Sequence, residues 1–190
     1  MKTLALFDFD GTLYTKDSLI EFTKSAKGNV KFYQGMLMLS PFLIGLKLGI
    51  LNNEKVKIKF LKYFFKNTKV DVFKAKAHDF AIKKVAPDLN KKTFQHFLKH
   101  IQLNHTVCIV SASCADWIQP WSNLYQVSVI GSELEIINQK ITGNLAAKNC
   151  YGIEKVNRIK AVYNLDEFDV IRVYGSGKGD FEMLQLSKSQ

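Results

Sequence analysis

The stretch TLALFDFDGT, residues 3–12, sets Asp8 and Asp10 at the end of an apolar run. Little in it alternates, which fits a central parallel strand buried on both faces, with polar groups at its carboxyl end. Carboxylates two residues apart repel and raise one another's pKa. An unpartnered buried carboxylate is also costly. The pair therefore needs a cation or a mechanism to reward it. In an unbroken strand both side chains lie on one face. A turn at Gly11 lets Asp10 swing across, so that one carboxylate attacks an electrophile while the other handles a leaving-group proton.

The pattern recurs. TVCIVSAS (106–113) and DVIRVYGSG (169–177) are apolar or β-branched runs that end in small or hydroxylated residues, and a helix is expected after each. YQVSVIGSELEI (125–136) and KITGNLAA (140–147) read as one more strand and a short β-excursion. GIEKVNRIKAVYNL (152–165) reads as a helix with Val156, Ile159 and Val162 in its apolar stripe. Strands with polar carboxyl ends describe an open α/β sheet that binds ligands at those ends.

Residues 17–87 differ. VKIKFLKYFFKN and FKAKAHDFAIKKVA carry apolar residues at three- and four-residue spacing among lysines, so a helical insertion is expected. A short strand at 55–60, where lysines alternate with Val56, Ile58 and Phe60, is the alternative there. MLMLSPFLIGLKLGIL (36–51) is broken by Ser40, Pro41 and Lys47 and is shorter than the roughly 18–20 apolar residues of a spanning helix. It is expected to form a buried helical hairpin turning at Ser40-Pro41. Pro87 and Asp88 mark the return to the sheet.

Charge follows the same division. Residues 17–87 hold fourteen lysines, no arginine and five acids, a net of +9, while the whole chain is +10. Such a field attracts anions, whether phosphorylated substrates, anionic lipid or nucleic acid. No RNA-binding signature accompanies the aromatic residues, so nucleic acid is not favoured. Cys108, Cys114 and Cys150 are too few and scattered for a disulfide framework, and no CxxC pair suggests zinc. A reducing cytoplasm is the expected compartment, and Asp8 interrupts the first apolar run too early for a secretory signal. The four histidines show no metal-ligand spacing. Cys114 lies where a helix start could activate a thiol, though a packing role is expected.

Together DFDGT, the serine of IVSAS, the lysine of GIEKVNRI and the final YGSGKGDFEML resemble, in order, the motifs of the haloacid dehalogenase-like phosphatases. The likeness spans essentially the whole chain and is greatest to the subfamily that includes phosphoserine phosphatases. It implies a Rossmann-like parallel sheet flanked by helices, with an inserted all-helical cap of the C1 type. The α/β core would be residues 1–16 and 88–190, and the cap 17–87. It implies Asp8 as the nucleophile forming an aspartyl-phosphate and Asp10 as general acid, then base. Thr12, Ser111, Ala112 and Lys155 would bind phosphate. Mg²⁺ would be held by Asp8, Asp10, Asp180 and the position of Ser176. Asp17 would be the acid at the cap entry that reads the substrate.

Two departures matter. The cap lacks the arginine with which phosphoserine phosphatases grip a carboxylate, and only arginine offers a planar fork. In the last motif Ser176 stands where the family has an acid that ligates Mg²⁺. A neutral oxygen is a poorer ligand, so weaker metal affinity is expected. GSGKGD lacks the spacing of a P-loop. The expected activity is hydrolysis of a phosphomonoester, either a small metabolite or a lipid phosphate. The alternative is a catalytically weakened protein that binds phosphate or an anionic membrane surface. The chain ends at LQLSKSQ, soon after this motif, where relatives continue into another strand.

Overall fold

The computed structural model describes residues 1–189. Strand β1 (Thr3–Phe7) is central and fully buried. It pairs in parallel with β2 (Thr106–Cys114) on one side and β6 (Val170–Tyr174) on the other, and β3 (Ser128–Ser132) extends the sheet beyond β2. Successive β1 residues feed opposite cores. Ala5 and Phe7 join Val107 and Ile109 in one cluster, while Leu4 and Leu6 join Cys108, Val110 and Ile171 in the other. Burial on both faces is the physical reason this strand reads as an unbroken apolar run. β4 (Leu134–Ile137) and β5 (Lys140–Leu145) form the expected antiparallel excursion.

Four helices fill the insertion: α1 (Ser18–Lys27), α2 (Asn29–Lys47), α3 (Asn53–Phe65) and α4 (Val70–Lys84). Phe22, Phe65, Phe73 and Phe80 of these helices pack with Trp117 of α6 (Ala115–Ser122), which follows β2. Helix α5 (Lys91–Gln102) leads back into β2. Helix α7 (Ile153–Val162) covers the other face, and a short α8 (Phe181–Leu184) closes the described fold after β6.

Three expectations are corrected. Residues 36–51 form neither a turn at Ser40-Pro41, because α2 continues through Pro41 to Lys47, nor a buried hairpin, because Leu37, Met38, Ile44, Leu48 and Ile50 are exposed. Proline removes the amide that would bond Leu37 O. The Ser40 hydroxyl donates to that carbonyl instead, at 2.7 Å. Residues 55–60 are helical, not extended. Asn52 caps α3 by accepting from Lys55 N at 2.8 Å, and the helical phase turns Lys57 inward while Lys55 and Lys59 face out. Finally, Val162 lies outside the α7 stripe. It is exposed, and burial ends at Ile159 as the helix runs out past the sheet. Among the described residues no helix is long and apolar enough to cross a membrane.

Candidate active site

Three strand ends meet. Asp8 follows β1, Ser111 to Ser113 close β2, and Gly175 to Asp180 follow β6. The Asp8 amide donates to Tyr174 O at 2.8 Å, so β1 stays paired until the first carboxylate. Gly11 then turns the chain at φ +76°, a conformation that suits glycine. Its turn carries Asp10 away from Asp8 toward β2 and α1.

Asp8 is buried and doubly held. Oδ1 accepts from Lys155 Nζ at 2.7 Å and Oδ2 from the Thr12 hydroxyl at 3.0 Å. Lys155, in the first turn of α7, also donates to Asp180 Oδ1 and to Val110 O at 2.9 Å. Burial opposes charge on this lysine, but the Asp8 and Asp180 carboxylates outweigh it and hold its pKa up. Burial likewise pushes Asp8 up, with the Lys155 ammonium working against it.

Asp180 is fixed from its other side. Its Oδ2 accepts from Ser176 N at 3.0 Å and Gly177 N at 2.9 Å. A Cβ on Gly175 would lie 2.7 Å from that of Asp180, so only glycine allows this close approach. Ser176 Oγ donates to Gly11 O at 3.1 Å and sits 3.1 Å from Thr12 Oγ1. Thr12 and Ser176 thus form a hydroxyl bridge behind Asp8.

Asp10 lies in a different environment. Oδ1 accepts from Ser18 N, at the start of α1, at 2.7 Å, and Oδ2 from the Ser113 hydroxyl. Behind Ser113 the Ser18 hydroxyl donates at 3.0 Å, and the Trp117 indole donates to Ser18 at 3.0 Å. Burial, reinforced by the nearby Asp17 charge, pushes the Asp10 carboxyl up to about 7 despite these bonds. One carboxylate is therefore paired with a cation and the other is poised to exchange a proton near neutrality.

A cavity of about 340 Å³ collects these groups. Asp8, Asp10, Asp17, Ser111, Ala112, Lys155 and Asp180 line it; Thr12 and Ser176 do not. Ser111 Oγ accepts from Ser113 N at 3.0 Å. Asp17 is exposed and caps α1, its carboxylate accepting from Ile20 N at 3.1 Å. Cys114 is fully buried, and burial pushes its thiol up to about 12, which suits packing and not nucleophilic work.

Sequence reasoning missed Lys57. This lysine of α3 is buried at the cavity wall and donates to Ala112 O, to Ser132 Oγ at 3.2 Å and to Asn149 Oδ1 at 2.8 Å. It ties the insertion to the end of β2. Fourteen lysines in the segment hid it, and only helical phase singles it out. Ser18, Ser113 and Trp117 were missed too. The spacing SAS was the one available signal for Ser113.

The ligand atoms around Asp8 are all oxygens: two buried carboxylates and the Ser176 hydroxyl. No group of three or more acidic, histidine or cysteine side chains suited to a metal occurs among the described residues. The set still fits a hard divalent cation such as Mg²⁺, which keeps several waters and needs few carboxylates.

The profile of the haloacid dehalogenase-like hydrolases matches residues 5–185, nearly the whole chain. The chain belongs to that family. This hydrolase is 30% identical to Protein CicA of Caulobacter vibrioides over 187 residues, covering 97% of this chain and 82% of that protein. Its fold is similar to a Bordetella pertussis Tohama I protein of unknown function, with a TM-score of 0.81 at 18% identity, covering 99% of this chain and 88% of that one. It is also similar to a phosphoserine phosphatase solved as a phospho-aspartyl intermediate analogue, with a TM-score of 0.66 at 15% identity over 98% of this chain and 83% of that one.

Proposed function

We propose that this family member is a Mg²⁺-dependent phosphomonoesterase working through an aspartyl-phosphate on Asp8. The observation that carries the reading is the division of labour between two nearby carboxylates. Asp8 is ion-paired with Lys155, and Asp10 is held at about 7 in a hydrogen-bonded cage. In the first half-reaction an Asp8 oxygen attacks phosphorus, the bond to the leaving oxygen breaks, and Asp10 gives that oxygen its proton. In the second, Asp10 takes a proton from water as the water oxygen attacks phosphorus, and Asp8 leaves. Phosphoryl transfer asks the protein mainly for positioning and charge stabilisation. Lys155 supplies positive charge beside Asp8. Ser111 and Ala112 line the same cavity, and in this reading the Ser111 hydroxyl and the Ala112 amide receive phosphoryl oxygens. A cation held by Asp8, Asp180 and the Asp10 carbonyl, beside the neutral Ser176, would screen the repulsion between anionic nucleophile and anionic phosphate.

In this reading the helices of 17–87 act as the cap over the site, and Lys57 is the cation they bring to it. The substrate is a small phosphorylated metabolite or a lipid phosphate. Phosphoserine is not favoured, because the cap has no arginine and Lys57 already has three protein acceptors. The test is p-nitrophenyl phosphate hydrolysis with and without Mg²⁺, in the wild type and in Asp8→Asn. Metal-dependent turnover lost in Asp8→Asn supports the proposal. Ser176 favours a second reading, a phosphate-binding protein with weakened turnover. No hydrolysis across a broad phosphate panel would support that one.

A further inference from the structure

We propose that α2 seats the protein on an anionic lipid surface, and that the phosphoryl group handled at Asp8 is carried by an amphiphile with an apolar tail. The second half rests on the phosphatase reading above; the first does not.

Helix α2 is apolar on two opposite sides. Its inner side holds Phe32 and Leu39 in the core and presents Met36, Leu43 and Leu46 to the cavity. Its outer side carries Val30, Tyr33, Leu37 and Ile44, continued by Leu48 at the cap, at spacings of three, four, seven and four. Those five are 58–75% exposed. At 100° per residue they form one stripe opposite the inner one. Ile50 in the following loop adds to it, also 75% exposed. A helix with a second apolar stripe opposite the one it buries normally covers both. A contiguous exposed apolar face of this kind marks an interaction site.

Charge names the occupant. No acidic residue occurs between Glu21 and Glu54, whereas Lys24, Lys27, Lys31 and Lys47 do. Lys31 and Lys47 are exposed on the flanks of the stripe, and Lys55 and Lys59 are exposed on the adjoining α3. Among the described residues none of these four exposed lysines forms an ion pair. An apolar helical face bordered by lysines that make no ion pair, one of them (Lys59) over the Phe42 ring, and clear of acids matches an anionic bilayer surface, where burial and electrostatic attraction act together.

The inner stripe extends this to the substrate. Leu19, Ile20, Met36, Leu43, Leu46 and Phe60 line the same cavity as the carboxylates. A small polar leaving group gains nothing from such a lining, while an alkyl chain does. One helix thus separates the cavity from the proposed lipid face, a thickness of about 10–12 Å.

The experiment has two arms. In the first, wild type and a Leu37→Glu/Ile44→Glu variant are sedimented with phosphatidylcholine vesicles, with and without phosphatidylglycerol. Both residues are exposed and neither lines the cavity, so an unchanged melting temperature is expected. The wild type should partition onto phosphatidylglycerol-containing vesicles, less so at high salt, and the variant should lose about tenfold or more in partitioning. No wild-type binding, or binding indifferent to the substitutions, overturns the docking face. So does a concentration-dependent dimer in solution that the substitutions abolish, which would assign the face to a second copy of the chain. In the second arm, hydrolysis of long-chain phosphatidic acid in vesicles is compared with that of glycerol 3-phosphate. A kcat/KM about a hundredfold higher for the lipid is expected. A preference for glycerol 3-phosphate, or none, overturns the amphiphile. Vesicle binding without turnover of either compound or of p-nitrophenyl phosphate upholds the docking face and counts against the phosphatase reading.

Discussion

Ser113 donates its hydroxyl to Asp10, and Asp10 in turn accepts the first amide of α1 through its other oxygen. Asp10 thereby links β2 to the insertion. Burial and the Asp17 charge raise its pKa to about 7, while the Ser113 and Ser18 bonds pull it down. In the proposed mechanism Asp10 must carry a proton as general acid, so kcat/KM is expected to fall as pH rises through its pKa. Ser113→Ala removes a bond to the anion and moves that limb to higher pH, with kcat about tenfold lower or more. Asp17→Asn keeps a competent cap but removes a like charge, so the limb moves to lower pH. pH–rate profiles of the two variants check the opposite signs.

Lys155 lies between two buried carboxylates, Asp8 and Asp180. Lys155→Met leaves both without their cation. Breaking a buried pair costs about 3–5 kcal/mol, so a large fall in thermal stability is expected alongside loss of turnover. Calorimetry of the purified variant reads it. A melting temperature equal to wild type would mean that the ion pairs do not hold the site together.

Ser176 lies behind Asp8, bonded to Gly11 and close to Thr12. In the proposed metal site, Ser176→Asp adds a carboxylate near Asp8 and Asp180. The Mg²⁺ concentration for half-maximal turnover should fall by about tenfold or more, given the preference of Mg²⁺ for charged oxygen. Titration of both proteins decides it. Equal half-saturation would show that the absent carboxylate does not limit metal binding.

Lys57 joins α3 to Ala112, Ser132 and Asn149. Lys57→Met keeps the apolar stem and strips the ammonium, leaving these acceptors short of a donor. A loss of about 1–3 kcal/mol is expected. If Lys57 also orders the Ala112 segment for phosphate, KM should rise more than kcat falls. Steady-state kinetics beside urea unfolding separates the two effects.

His100 is buried against His105, with ring nitrogens 2.7 Å apart, and contacts Tyr174 OH at 3.0 Å. Burial, then the neighbouring His105, pulls its pKa from 6.5 down to about 4. The unfolded chain therefore binds the proton first. This contribution to stability is present above pH 6.5 and lost as pH falls toward 4. His100→Gln should flatten the acid limb of a melting-temperature profile in that window.

The polar ends of the strands were legible in the chain because burial on both faces forces an unbroken apolar run, and polar groups at its end then stand out. Asp8 and Asp10 stand out in this way, whereas Ser111, Asp180 and the helical Lys155 are singled out only by the order of motifs in the family resemblance, and the fold brings all five to one cavity. Local pattern also located the helical insertion. It failed where one local signal had a nearby remedy: Pro41 reads as a break, but the Ser40 hydroxyl satisfies the carbonyl that proline leaves free. It failed again at Lys57, one lysine among fourteen, whose burial depends on what α3 packs against. The cage of Ser18, Ser113 and Trp117 around Asp10 joins residues up to 103 positions apart. Nor does the composition of residues 36–51 say which side of α2 is covered. Sequence alone determined which residue types stand at the strand ends and in what order. Only the tertiary structure decided which of them are buried and paired, because hydrogen bonding and desolvation depend on distances that strand pairing and helix packing set.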